Sequence, residues 1–133
     1  TIVRPTLIFG KDDPHNGYGP NSFFRLAIKN KDIKIFGRGE ELRDHISIED
    51  VVDSIFKIIF SKKKGEFNIV TGKTKSFQSI AKKIIKLTNS NSKIVYTKRL
   101  IPMPHNGYRA FDNTKLKKIK KTGFRSLETL IKK

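Results

Sequence analysis

Two stretches of this sequence carry the same five residues, Pro14-His15-Asn16-Gly17-Tyr18 and Pro104-His105-Asn106-Gly107-Tyr108. Each presents an imidazole, an amide and a phenol around an Asn-Gly pair, which readily adopts positive φ and so makes a turn. Two plain turns account for the echo, and the flanks differ, so it is no fold-level repeat. Two loops offering the same His, Asn and Tyr could nonetheless converge on one ligand. A metal site from His15, His45 and His105 is set aside, because no pair has i,i+4 or His-x-His spacing and no carboxylate is grouped with them. The chain holds no G-x-G-x-x-G or G-x-x-G-x-x-G, no P-loop, no G-x-S-x-G, no H-E-x-x-H and no Tyr four residues before a Lys. Gly37-Arg38-Gly39 is too short for a dinucleotide cradle and reads as a turn. No self-sufficient active site is visible, and no residue is assigned as catalytic.

The elements that must carry these groups alternate between strand and helix. Thr1 to Phe9 is a short apolar run ending at Gly10, the pattern of a strand buried on both faces of a parallel sheet. Lys11 to Pro20 is a loop, and Asn21 stands at the N-cap position of a helix with Phe23, Phe24, Leu26, Ala27 and Ile28. A strand is expected over Ile33 to Phe36 and another over His45 to Ile48. Ser47 to Asp50 forms a capping box for a helix through Phe60, its inner side Val51, Val52, Ile55, Ile58 and Ile59. Phe67 to Val70 reads as a second buried strand. Ser76 caps a helix with Phe77, Ile80, Ile84 and Leu87 inward, and Ile94 to Tyr96 is a weak strand. Leu100 to Phe111 is an irregular loop. Asp112, Asn113 and Thr114 offer caps for a short basic helix stopped by Gly123, and Ser126 starts a last helix with Leu127, Leu130 and Ile131 inward.

The chain has 133 residues, 36% of them hydrophobic, which is enough for one domain with a core. It is expected to be a single unit over 1–133 with no flexible linker. Its net charge of +17 suggests polyanions, yet 22 of the 29 cations are Lys and fall after or on the outer faces of expected helices. That pattern argues against specific nucleic-acid binding. Without Cys there is no disulfide or thiolate site, and no apolar run reaches membrane-spanning length, so no membrane partner is expected and the cytoplasm is the default location. Residue 1 is Thr and Met103 is the sole Met, so the chain is expected to be part of something longer.

A series of phrases then carries a resemblance. Arg4-Pro5-Thr6-Leu7-Ile8-Phe9-Gly10 resembles the R-P-x-x-x-Y-G strand of the extended short-chain dehydrogenase/reductase family, the NAD-dependent epimerases and dehydratases of nucleotide sugars. Ile33 to Gly39, then Leu42 to Val51, is similar to its I-x-I-F-G-x-G and R-D-[FYH]-[IV]-x-V-x-D-[VL] segments. Gly65 to Gly72 resembles G-x-x-[YF]-N-[IVL]-x-[ST]-G, and Asp112 to Lys115, Thr122 to Phe124 and Ser126 to Glu128 resemble the closing D-x-[ST]-K, L-G-[WF] and S-L-E. The five stand in the family's order and span nearly the whole chain.

The resemblance implies an α/β fold, the last strands of a Rossmann-type parallel sheet plus a small α/β substrate-binding domain. It implies that this is the C-terminal half of such an enzyme, with the NAD or NADP loop and the Tyr-x-x-x-Lys pair in an N-terminal half that is not here. Arg43 matches the Arg that grips the diphosphate, a role suited to a planar guanidinium fork. The alternative for Arg43 is a surface ion pair with Asp44 or Glu41. Asn21 matches an Asn that contacts the nucleotide sugar, at a helix N-terminus that favours anions; a plain N-cap is its alternative. Phe36 matches a residue beside the base, or is simply a core Phe, and Asp50 reads as a cap.

Departures from the pattern matter. Leu7 stands where several members have a substrate-touching Asn, and Lys11 where Pro is usual. Arg109 is near the place of the late phosphate-gripping Arg, in a poorly matching stretch, so His105 and Tyr108 are candidates for that work. Three readings stay open: the substrate half of a nucleotide-sugar epimerase, dehydratase or reductase; a noncatalytic binding protein of that fold; and a basic nucleic-acid module. The partners implied by the first are a nucleotide sugar and the N-terminal half, with homodimerisation open.

Overall fold

The structure is a computed structural model that describes residues 1–131. Its strands are β1 (Ile2–Pro5), β2 (Leu7–Phe9), β3 (Ile33–Phe36), β4 (Leu42–Ser47), β5 (Glu66–Ile69), β6 (Thr74–Ser76), β7 (Ile94–Thr97) and β8 (Tyr108–Arg109). Its helices are α1 (Pro20–Ala27), α2 (Ile48–Phe60), α3 (Phe77–Leu87) and α4 (Thr114–Lys117), with 3-10 turns at Pro104–Gly107 and Leu127–Leu130. The alternation is that of an α/β protein, and the pairs β1–β5, β2–β4 and β3–β7 are all parallel.

The run Thr1 to Phe9 does not form one strand. Pro5 ends β1, which follows β5 in register Val3↔Phe67, and Thr6 turns the chain onto a different neighbour, so that β2 follows β4 in register Leu7↔His45. Thr6 anchors the fork, its N–H donating to Ile69 O and its hydroxyl to Asp44 O. Nor is the run buried on both faces: Ile2, Leu7 and Ile8 are exposed, and Phe9 alone is in the core. Its apolar sequence reflects a surface left uncovered by the described residues.

Two cores result. Phe23 and Ala27 of α1, Ile33 and Ile35 of β3, Phe77, Ile80, Ala81 and Ile84 of α3, and Leu127 and Leu130 pack together with Phe9. Ile46, Val51, Ile58, Phe67, Ile69 and Leu116 form the second core, between α2, the β1–β5 pair and α4. Strand β4 runs between them, flanked by antiparallel β6 over Leu42 to Asp44 and by parallel β8 over Leu42 and Arg43. Neither β6 nor β8 shows in the residue pattern, since each has only two or three residues and takes its register from β4.

Caps explain most helix ends. The Ser47 and Ser76 hydroxyls accept from the N–H groups of Asp50 and Ser79. Helix α1 begins two residues earlier than expected: Pro20, whose fixed φ suits the first helical position, places Gly19 at the cap and Asn21 inside the first turn. On α2 the inner side is narrower than the apolar pattern suggests. Val51 and Ile58 are buried and Ile55 partly so, while Val52 and Ile59 join Phe56 and Phe60 on an exposed stripe. Helix α4 ends at Lys117, six residues before Gly123, and the last helix is a single 3-10 turn that leaves Ile131 exposed. Among the described residues no helix is long and apolar enough to cross a membrane.

Candidate functional site

Side chains alternate along β4, so Arg43 and His45 share one face and Asp44 and Ile46 the other. Asp44 is structural. Its carboxylate accepts from the N–H of Thr71 at 3.2 Å, the Thr71 hydroxyl at 2.7 Å and the N–H of Gly72 at 2.7 Å, closing the turn after β5.

Arg43 is buried, 7% exposed, and both terminal nitrogens of its guanidinium are hydrogen-bonded. Nη1 donates to Leu42 O at 2.8 Å, and Nη2 donates both to Pro104 O at 2.8 Å and to Glu41 Oε1. The second carboxylate oxygen of Glu41 accepts from Nη2 of Arg99 at 2.9 Å. The expected alternative of a surface pair is thus corrected. The pair with Glu41, the residue that precedes β4, is internal, and it recruits a second guanidinium from the segment after β7.

Arg99 in turn lies over the ring of Phe36, 5.9 Å from its centroid. Phe36 is not a core residue: alternation on β3 sends Ile33 and Ile35 inward and leaves Phe36 46% exposed. Tyr18, from the first Pro-His-Asn-Gly-Tyr loop, packs on Phe36 at 5.1 Å between centroids, and its hydroxyl accepts from Phe36 N–H at 3.4 Å. Burial pushes the Tyr18 phenol up to about 12, so at neutral pH it keeps its proton and can donate it in a hydrogen bond.

Asn21 lies in a neighbouring pocket of about 180 Å³, lined also by Leu7, Asp13, His15, Tyr18 and His45. Its side-chain oxygen accepts from Gly10 N–H at 3.1 Å and its amide donates to Asp13. Asn21 and Arg43 therefore do not face one shared cleft, and Tyr18, lining this pocket and touching Phe36, is the link between their surroundings. His45 sits in the same wall, its two ring nitrogens buried without hydrogen-bond partners among the described residues. Burial, with Lys75 and Arg43 adding repulsion, holds its pKa down at about 4, so it is neutral at pH 7.

The second Pro-His-Asn-Gly-Tyr loop reaches Arg43 through its backbone, not its side chains. His105 and Asn106 are left-handed, with φ of 53° and 51°, and Gly107 follows at 77°, whereas in the first loop Asn16 and Gly17 have no positive φ. The two loops share a sequence and not a shape. The left-handed turn aims Pro104 O at Arg43 and places β8 beside β4, with Arg43↔Arg109 in register. Arg109 meets Nε2 of His105 at 2.9 Å and lies over Phe111; Tyr108 is exposed.

A larger cavity of about 640 Å³ opens on the other side of His45, among Lys73, Lys75, Lys117, Lys120, Lys121 and Arg125. None of the candidate substrate-binding residues lines it, and His45 is the wall it shares with the smaller pocket. Lys120 and Arg125 are held by Asp50, which is far more than a cap: completely buried, it accepts from Ser47, from Arg125 N–H at 2.6 Å and Nη1 at 2.9 Å, and pairs with Lys120 at 3.2 Å. The candidate site is the smaller pocket together with the Tyr18, Phe36, Arg99, Glu41, Arg43 series. Sequence reading missed Arg99, whose segment carries no motif.

Residues 1–70 match the family model described as the NAD dependent epimerase/dehydratase family. The chain is 35% identical over 119 residues to UDP-N-acetyl-alpha-D-glucosaminuronate decarboxylase of Bacillus cytotoxicus, covering 86% of this chain and 36% of that protein. It is 30% identical over 116 residues to ADP-L-glycero-D-manno-heptose-6-epimerase of Fusobacterium nucleatum, covering 83% and 34%. Among solved structures it is similar to the UDP-glucose 4-epimerase of Thermotoga maritima with UDP-glucose, at TM-score 0.76 and 26% identity, over 96% of this chain and 41% of that one. The chain spans about a third of the length of these two relatives.

Proposed function

Because this chain belongs to the NAD dependent epimerase/dehydratase family, we propose that residues 1–133 form the nucleotide-sugar-binding part of a longer enzyme of that family. In this reading they hold a sugar diphosphate near a nicotinamide that another part of the protein binds. The observation that carries it is the convergence of two guanidiniums, Arg43 and Arg99, on one anionic group beside the exposed ring of Phe36. Paired forks suit the oxygens of a diphosphate, and an exposed aromatic face suits a base. The adjoining pocket of Leu7, Asn21 and Tyr18 is the place for the sugar, and Arg109, His105 and Tyr108 form the outer rim.

The relatives support the substrate class, since the two named above act on UDP- and ADP-linked sugars by name. NAD or NADP belongs to the complete protein. No glycine-rich dinucleotide turn and no Tyr-x-x-x-Lys pair lies in these 133 residues, so they do not fit the cofactor and no step through it is assigned to them. Their part is binding and orientation, which lowers the barrier by fixing the reacting sugar against the hydride acceptor. The exposed apolar surfaces of β1, β2 and α2 are where the rest of such an enzyme would pack.

Calorimetric titration with UDP-glucose tests this. Saturable binding that UDP competes away supports it. Tight binding of a random oligonucleotide with no heat from the nucleotide sugar would replace it with the polyanion reading.

A further inference from the structure

We propose that Glu41 is the internal counter-ion of the site, a specificity residue that sets how much negative charge a ligand must bring. This deepens the nucleotide-sugar reading and rests on it. One carboxylate is shared by two guanidiniums, Oε1 with Arg43 and Oε2 with Arg99 at 2.9 Å, and it is only 7% exposed. It stands where an anion bridging the two forks would stand. The group of three carries a net charge of one, so the field that greets a ligand is that of a single cation, although two are present.

The donors also outnumber what one carboxylate can accept. Nε of Arg99 is buried with no partner among the described residues, an unusual state for a charged donor. Glu41 therefore holds the two forks without exhausting them. A ligand with one negative charge offers no more than the carboxylate already supplies and leaves Glu41 in place. A diphosphate brings more charge and more acceptor oxygens, takes over both guanidiniums and reaches the spare Nε, while the Glu41 side chain rotates to solvent. The site thereby discriminates the doubly charged diphosphate of a nucleotide sugar from a singly charged phosphodiester by electrostatic competition rather than by shape, an instance of specificity obtained from a repulsive element.

The test is titration of the full chain, wild type and variants, with UDP-glucose, whose diphosphate carries two charges, and with the methyl ester of UMP, whose phosphodiester carries one. Glu41→Gln keeps the shape and removes the charge. It should tighten diphosphate binding by about tenfold and phosphodiester binding by more, narrowing the gap between them. Arg99→Gln should weaken diphosphate binding by about tenfold, and it carries the test alone if Glu41→Gln fails to fold. Unchanged or weaker diphosphate binding in a folded Glu41→Gln, or unchanged binding in Arg99→Gln, would overturn the role of Glu41 while leaving the nucleotide-sugar reading intact. Absence of nucleotide binding in wild type and in Glu41→Gln alike would sink the reading and this inference together.

Discussion

Arg43 and Arg109 are partners in the parallel register of β4 and β8, yet each guanidinium is spent nearby, one on Glu41 and Pro104 O, the other on His105 and Phe111. Adjacent parallel strands set both on one side of a two-residue ladder. The left-handed turn at His105 and Asn106 makes that ladder possible, by bringing the chain back against β4. Arginines so placed are pre-ordered and partly neutralised, which fits a binding site better than a diffuse basic surface does.

His45 gives the fold a pH dependence. Held neutral at about 4 inside and free to protonate at its ordinary 6.5 in the unfolded chain, it makes the unfolded state bind more protons between those values. Its contribution is complete above pH 6.5 and is lost as pH falls toward 4, to a total of about 3 kcal/mol. His45→Phe, which packs the same wall against Phe77 without ring nitrogens, should flatten urea-derived stability between pH 7 and 5; an unchanged pH slope would show that His45 is not the group responsible.

Asp50 should be the most sensitive carboxylate. Completely buried, it organises Ser47, Lys120 and Arg125, so Asp50→Ala leaves the buried Lys120 with Asp53 alone as its counter-ion and takes the acceptor from Ser47 and Arg125, and should cost about 3 kcal/mol in denaturant unfolding. Removal of Glu66, exposed in its pair with Arg4, should cost less than about 1 kcal/mol. Equal losses would contradict the placement of Asp50.

The exposed stripe of α2 makes a separate prediction. Phe56 and Phe60 are 57% and 78% exposed and stack on each other, so Phe56→Ser with Phe60→Ser should raise the monomer fraction in size-exclusion chromatography. The thermal midpoint should move little. A large fall would mean that the stripe is internal to this unit.

Much of this was legible in the residues, for a physical reason. Strands and helices with their own periodicity and caps, such as α2 behind Ser47 and α3 behind Ser76, announce themselves locally. Elements that exist because a neighbour orders them do not: β6 and β8 borrow their register from β4, and the fork at Thr6 depends on which partner each half of the run finds. The same division holds at the site. Arg43 stands in a recognisable motif, and Glu41 is its neighbour two residues earlier in the chain. The reach of Arg99 to that carboxylate depends on the path of the chain after β7, which no spacing encodes. Asn21 shows the opposite error, a residue type suited to a cap that Pro20 displaces into the first turn.

The most direct test of the account is calorimetric binding of a nucleotide sugar by Arg43→Ala set beside a control in which Lys62, Lys63 and Lys64 are replaced together by Ala. Arg43 is buried in the site, whereas those lysines follow the end of α2 on the surface. The account predicts a loss of about 1.5 to 3 kcal/mol for Arg43→Ala, the scale of hydrogen bonds to a charged group, and almost none for the control. Equal losses from the two would contradict a diphosphate site at Arg43 and leave only a general attraction of this basic chain for anions.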